Sequence, residues 1–258
     1  MSLHDPVAGM ALVRRPGPNL ASGLVTHVDR RPLDLALAAR QHEAYIAALI
    51  AAGWEVRAVP SADELADAPF VEDTVVVCGN LAVLTRPGAP ERRAEVAGTE
   101  RVIRELGLEI VRIEEPGTLD GGDVLQTADT LYVGRSARTN EEAVCKLAGL
   151  VGKRVVSVEV RGCLHLKTAM TALPDGTLIG VPEFVDTSVL PGLRVALEPE
   201  GAQVVVLGPD HLLMATSAPR TAQQLAAEGY RISSVDISEF EALEGGVTCL
   251  SVLIPTPR

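Results

Sequence analysis

Aromatic residues are scarce in this sequence: one Trp, three Tyr and three Phe among 258 positions, 3% in all. A core without rings has to be built from Ala, Val, Leu and Ile, which dominate a composition that is 47% hydrophobic. The same shortage weakens any single-stranded nucleic-acid reading, because such binding needs stacking faces. Basic residues are few as well. The 23 Lys and Arg against 34 Asp and Glu give a formal charge of −11, whereas phosphate binding wants clustered cations. No nucleic-acid partner is expected, and cations are the more natural small ligands.

No apolar run approaches the roughly 20 residues that cross a bilayer, so no membrane association is expected. A 22% charged fraction beside that apolar content does not suit a disordered chain. The start of the chain lacks a charged leader followed by an apolar stretch, which makes the cytoplasm the expected location. The four cysteines, Cys78, Cys145, Cys163 and Cys249, match no zinc spacing, and a chain this long needs no disulfide staples. Free thiols are expected. His4, His27, His42 and His211 form no ligand spacing either.

What the chain does contain is a repeated order of elements. Leu33 to Ala52 carries apolar residues at helical spacing and stops at Gly53, and Trp54 to Val59 reads as a strand. Phe70 to Leu84 holds two β-branched runs about Gly79-Asn80, a pair suited to a tight hairpin turn. Arg92 to Leu106 is helical and Glu109 to Ile113 extended. The order recurs with a hairpin from Leu119 to Val133 turning near Ala128-Asp129. A helix over Asn140 to Val151 follows, capped by Thr139 or Asn140, and then a strand at Arg154 to Val160. A third copy starts at His165, turns at Pro174-Asp175-Gly176, continues as a helix over Ser188 to Glu198 and ends in a strand at Gln203 to Leu207. In a looser fourth copy, strands flank Gly208-Pro209-Asp210, a helix covers Ala222 to Glu228 and Tyr230 to Val235 is extended. The last segment, Gly246 to Ile254, lacks a hairpin partner unless it pairs with the N-terminal strand near Ala11 to Arg15.

About five units of roughly 50 residues that cannot stand alone predict a propeller or solenoid. Pairing the last strand with the first would zip a ring and remove its free edges. The predicted fold is therefore an α/β chain of ββαβ repeats around a central cavity, one domain over residues 1–258 with no linker.

Aligned on their first hairpin strands, the repeats carry reactive residues where a buried strand should be apolar. These are Glu72 and Asp73 in FVEDT, Asp120 and Asp123 in LDGGDV, His165 and Lys167 in LHLKT, and Cys249 in GGVTCL. In a closed ring, equivalent positions converge on one cavity. Thiol with imidazole is an acyl- or amidino-transfer pair, in which sulfur attacks an electrophilic carbon and imidazolium protonates the leaving nitrogen. Added carboxylates repel an anionic reacting centre and hold a guanidinium by paired charge-assisted bonds. The combination points to thiol attack on a guanidine carbon. Asp120-Gly-Gly-Asp123 lacks the further oxygen ligands of a calcium loop, so neither a metal nor an organic cofactor is expected.

With these residues in view, the chain resembles the dimethylarginine dimethylaminohydrolases, guanidino-modifying enzymes of the five-bladed α/β propeller (pentein) superfamily. The resemblance spans nearly the whole length through PFVEDT, RPGAPERR, GTLDGGDVL, SARTN, LHLKT and GGVTCLSVLI in order. It implies hydrolysis of Nω-methylated arginine to citrulline and the methylated amine. It implies Cys249 as nucleophile, His165 as proton donor and later base, and Asp120 orienting His165. Asp73 would hold the guanidinium with Glu72 behind it, Asp67 would meet the α-amino group, and Arg92 and Arg138 would clamp the α-carboxylate. Leu20 and Leu243 match positions that bind through backbone carbonyls or line the lid. Relatives are often dimers, so a homodimer is carried with the resemblance. GAQVVV from Gly201 departs from the family, where an Ala-Asn-Cys run is common. An arginine deiminase or another guanidine hydrolase of the same fold, and a non-catalytic binding protein on that fold, remain as alternatives.

Overall fold

A computed structural model describes residues 9–190 and 192–256. The first eight residues, which include His4 and part of the expected leaderless start, lie outside the described residues, as do Pro191 and the last two. Among the described residues, fifteen strands form five three-stranded sheets of one pattern, an antiparallel inner pair followed by a parallel outer strand.

The second to fourth sheets follow the chain. They are β3 (Val75–Cys78), β4 (Leu81–Leu84) and β5 (Glu109–Arg112), then β6 (Val124–Gln126), β7 (Thr130–Arg135) and β8 (Arg154–Glu159), then β9 (Met170–Ala172), β10 (Leu178–Gly180) and β11 (Arg194–Val195). The fifth holds β12 (Val205–Val206), β13 (His211–Ala215) and β14 (Arg231–Val235). The remaining sheet joins the two ends of the chain: β15 (Val252–Pro255) pairs antiparallel with β1 (Gly9–Val13), Leu12 opposite Val252, and β2 (Trp54–Ala58) runs parallel to β1. The expected zip is present. Five buried apolar clusters, each shared by two neighbouring sheets, complete the ring.

Connections follow local chemistry. The helix α1 (Leu35–Ala51) starts where the Asp34 carboxylate accepts the Leu37 N–H, and α3 (Glu141–Leu150) where Asn140 accepts that of Ala143, which decides the cap between Thr139 and Asn140. Between them α2 (Val96–Glu105) follows a tighter turn over Pro90–Glu95, so Arg92 sits before the α-helix proper. After the short α4 (Leu166–Ala169) come α5 (Pro219–Ala227) and α6 (Ser238–Glu241).

Two expectations are corrected. No α-helix forms among the described residues from Ser188 to Glu198; Thr187–Val189 is a single tight turn and Arg194–Val195 is the outer strand of its sheet. Pro191 removes a donor from the middle of that stretch, and Gly192 takes φ +77, outside the helical region. The segment Gln203 to Leu207 does not close the third unit but opens the fifth sheet, paired with β13.

The reactive residues are also not on the hairpin strands themselves. Val71–Thr74, Gly121–Asp123 and α4 are single helical turns immediately before β3, β6 and β9, and Cys249 lies in the turn before β15. A turn presents successive side chains to different sides, so one residue reaches a cavity while its neighbour anchors the turn. The inner strands themselves line a central channel of about 230 Å³, walled largely by valines.

Candidate active site

At the inner end of the channel, Glu72 and Lys167 form an ion pair of 2.6 Å. Beyond it a small separate cavity is lined by Asp67, Phe70, Asp73, Arg92, Arg138, His165, Leu243, Gly245 and Cys249, with the half-buried Leu24, Leu164 and Glu244 completing its wall. The turns before the inner strands thus divide the channel from this cavity. Of the site residues expected from sequence, Asp67, Asp73, Arg92, Arg138, His165, Leu243 and Cys249 line it directly. Asp120 meets it through His165, and Glu72 stands behind the cavity wall.

His165 precedes α4 and is 2% exposed. Its Nε2 lies 3.0 Å from Asp120 Oδ2, and its Nδ1 lies 3.9 Å from Asp73 Oδ1. Burial alone would depress this imidazole, but Asp73, the bond to Asp120 and Asp123 outweigh it and raise its pKa to about 9. At neutral pH it is imidazolium. Asp123 belongs to the scaffold: it accepts the Leu166 N–H at 2.9 Å and the Ser136 hydroxyl at 2.6 Å, which fixes the turn carrying His165.

Asp73 accepts from Arg92 Nη1 at 2.6 Å and from the Gly122 N–H at 2.8 Å. Burial would raise its pKa, yet His165 and Arg92 hold it below the usual carboxylate range. The Gly122 position needs glycine because a Cβ there would stand 2.7 Å from His165 Nδ1 and 2.8 Å from Asp73 Oδ1. At the first glycine of GGVTC a Cβ would lie 2.2 Å from a Phe70 ring atom. Both Gly pairs in the motifs are places where two turns touch.

Cys249 is 7% exposed. Its sulfur accepts from the Gly246 N–H at 3.4 Å, and its carbonyl accepts the Glu72 N–H. Burial, and then the nearby Glu72 and Asp73, push the thiol up to about 12, so it rests protonated. Alkylation of Cys249 in the free protein is therefore expected to accelerate about tenfold per pH unit from pH 6 to 8, since thiolate grows tenfold per unit far below the pKa. Peptide mapping separates it from the exposed Cys145, and a rate that levels off below about pH 8 contradicts this resting state.

The two arginines differ. Arg92 donates through Nε and Nη2 to Glu95, through Nη1 to Asp73, and through Nη2 again to the Asp67 and Phe70 carbonyls. Nη1 keeps one N–H beyond its bond to Asp73, and that hydrogen is what is left for a carboxylate ligand. Arg138 is less engaged: its Nη1 is buried without a hydrogen-bond partner and lies 3.7 Å from Asp120. Asp67 takes the Leu24 N–H on both oxygens, at 3.2 and 3.1 Å. Leu24, not Leu20, borders the cavity; Leu20 is buried in the apolar cluster shared with Leu243. Glu95, which neutralises Arg92, was not singled out from sequence, because the pairing depends on the tight turn over Pro90–Glu95.

Asp73, Asp120 and His165 are one set of side chains close enough to share a cation. All three are already committed to internal partners, and Arg92 and Arg138 stand 4.0 and 3.7 Å from Asp120. A divalent ion there would meet two guanidinium groups, so the donor set does not suit a metal.

A thiol and a carboxylate-held imidazole around one small cavity, on a ring of five three-stranded sheets, define a guanidino-modifying enzyme of the pentein class. No family model matches the sequence. A dimethylarginine dimethylaminohydrolase of Streptomyces coelicolor is 54% identical over 246 residues, covering 94% of this chain and 95% of that protein. The Pseudomonas aeruginosa enzyme, solved as a cysteine-to-serine variant complexed with citrulline, superposes with a TM-score of 0.87 at 31% identity over 96% of this chain and all of the other. A histidine-to-glycine variant of a dimethylarginine dimethylaminohydrolase, solved as an adduct with S-methyl-L-thiocitrulline, gives a TM-score of 0.88 at 32% identity, covering 95% and 99%. This chain belongs to the dimethylarginine dimethylaminohydrolase family.

Proposed function

We propose that the protein hydrolyses Nω-methylated L-arginine to L-citrulline and methylamine or dimethylamine, with Cys249 as nucleophile and residues 1–258 acting as one catalytic domain. The observation that carries this reading is a buried thiol in the same small cavity as an imidazolium braced by Asp120. The charge balance supports it. The buried centre holds Asp67, Asp73, Asp120, Asp123 and Glu95 against Arg14, Arg92, Arg138 and His165, one carboxylate more than cations, while Glu72 and Lys167 neutralise each other. A neutral thiol leaves that single excess charge for a substrate of net charge +1.

Asp73 takes the guanidinium, Asp67 the α-ammonium, and Arg138 the α-carboxylate, with Arg92 adding its remaining Nη1 hydrogen. A guanidinium about 4 Å from sulfur at an effective dielectric of 20 is worth about 4 kcal/mol, or about 3 pKa units. That lowers the thiol from its resting value, so binding of the cation favours loss of the thiol proton to solvent, His165 being already protonated. The thiolate attacks the guanidine carbon. His165 passes its proton to the departing amine as the C–N bond breaks, leaving an S-linked amidino intermediate. Neutral His165 then takes a proton from water, whose oxygen attacks the same carbon, and the C–S bond breaks to release citrulline.

An Arg138→Leu variant is expected to raise KM for dimethylarginine by about 10²-fold with kcat within about threefold, because it removes a charge-assisted bond made equally in ground and transition states. Steady-state kinetics check this; an unchanged KM moves the carboxylate elsewhere. Four free thiols suit a reducing compartment such as the cytoplasm. The test of the function is citrulline and amine release from dimethylarginine, monomethylarginine and arginine side by side. Release of dimethylamine supports it, ammonia from arginine alone points to a deiminase, and inactivity on all three points to a binder.

A further inference from the structure

The nucleophile's turn is held from outside the cavity by a residue that the chemistry leaves unused. Tyr45, on α1, has no exposed surface, and its hydroxyl lies 2.8 Å from the Val247 carbonyl and 2.8 Å from Ser251 Oγ. Those two groups stand two residues before and two residues after Cys249. A carbonyl only accepts, so the single phenolic hydrogen goes to Val247 and Ser251 donates to Tyr45. The hydroxyl is thus one pin through both ends of the Val247–Ser251 turn.

Inside that span the turn's own restraints are few. The Cys249 N–H reaches the Gly246 carbonyl, the Cys249 carbonyl takes the Glu72 N–H, and the sulfur has only long contacts, 3.4 Å from the Gly246 N–H and 3.9 Å from the Thr248 hydroxyl. Val247 and Cys249 pack in the same apolar cluster as Tyr45, which sets depth but not rotation about the turn. A directional bond at each end supplies the rotation. We propose that Tyr45 is a positioning residue for the reaction, acting through Val247 and Ser251 to hold Cys249 Sγ in line with the guanidine carbon. This rests on the reading of Cys249 as nucleophile.

The experiment compares Tyr45→Phe, Ser251→Ala, the double variant, and Trp54→Phe. Trp54 provides the structural control, because it makes a similar buried bond from Nε1 to the Leu207 carbonyl at 3.1 Å in the same apolar cluster. Tyr45→Phe keeps the ring and is expected to lower kcat for dimethylarginine at least about tenfold with KM within about twofold, the scale of a nucleophile displaced by a fraction of an ångström. The double variant is expected to lose no more than Tyr45→Phe alone, since both remove one bridge. Trp54→Phe is expected to lower Tm without lowering kcat. If Tyr45→Phe lowers only Tm, as Trp54→Phe does, or if the two losses multiply, the proposal falls. Cys249→Ser, run alongside, keeps the two readings apart: a silent Tyr45→Phe beside an inactive Cys249→Ser overturns the role of Tyr45 alone, and an active Cys249→Ser overturns the nucleophile.

Discussion

A Cys249→Ser variant is expected to lose turnover of dimethylarginine by at least about 10⁴-fold while binding it within about tenfold of the parent. The reason is chemical. A hydroxyl in this site is far harder to ionise than the thiol, and the gain from a nearby guanidinium, about 3 pKa units, does not bridge the gap. The shape of the site is kept, because serine is smaller than cysteine and its oxygen still faces the Gly246 N–H that the sulfur now accepts. Binding is checked by calorimetry and turnover by amine release. Retention of even one hundredth of the parental rate would mean that another group attacks the substrate.

Asp73→Asn carries the second large effect, and it acts on three properties at once. The carboxylate is 2% exposed and accepts from Arg92 and Gly122 while lying 3.9 Å from His165. Losing its charge removes a buried partner of the incoming guanidinium, which is expected to lower kcat/KM by about 10²–10³-fold. It also removes the leading influence that raises the His165 pKa, so protonated imidazole is lost at a lower pH than in the parent. Stability falls too, because Arg92 keeps Glu95 and the more distant Asp120 but loses its shortest ionic contact. A downward shift of the His165 titration, followed by NMR, separates this account from plain unfolding. A folded Asp73→Asn variant with an unshifted histidine would refute the coupling.

The ring was legible because its cues are local. Gly79-Asn80 makes a two-residue turn with Cys78 opposite Leu81, and the orphan strand at the C-terminus found its partner opposite Leu12. Where turn chemistry was discounted, the reading went wrong. Residue 191 is a proline, which has no N–H to donate, and Gly192 takes a positive φ, so the helix expected over Ser188 to Glu198 does not form among the described residues. The convergence of Asp73, His165 and Cys249 was readable from spacing, but their seat in single turns before the strands was not. A reactive residue in an apolar run looks the same in either setting.

The partners that give the site its charges were the least visible. Arg92 was read as a clamp, and its engagement by Glu95 and Asp73 is visible only when the tight turn folds a residue three positions away onto the guanidinium. Leu20 and Leu24 are close in sequence, yet one is buried in the core and the other donates to Asp67 in the cavity wall. Tyr45 meets Val247 across 202 positions of sequence, a contact no local pattern announces.

The covalent step is the centre of the account, and rapid-quench mass spectrometry of the protein with dimethylarginine tests it most directly. The predicted result is an amidino adduct, substrate less dimethylamine, on the Cys249 peptide, formed together with dimethylamine and ahead of citrulline. Release of dimethylamine and citrulline together, with the Cys249 peptide unmodified from the first turnover to steady state or with the adduct on another residue, would contradict it.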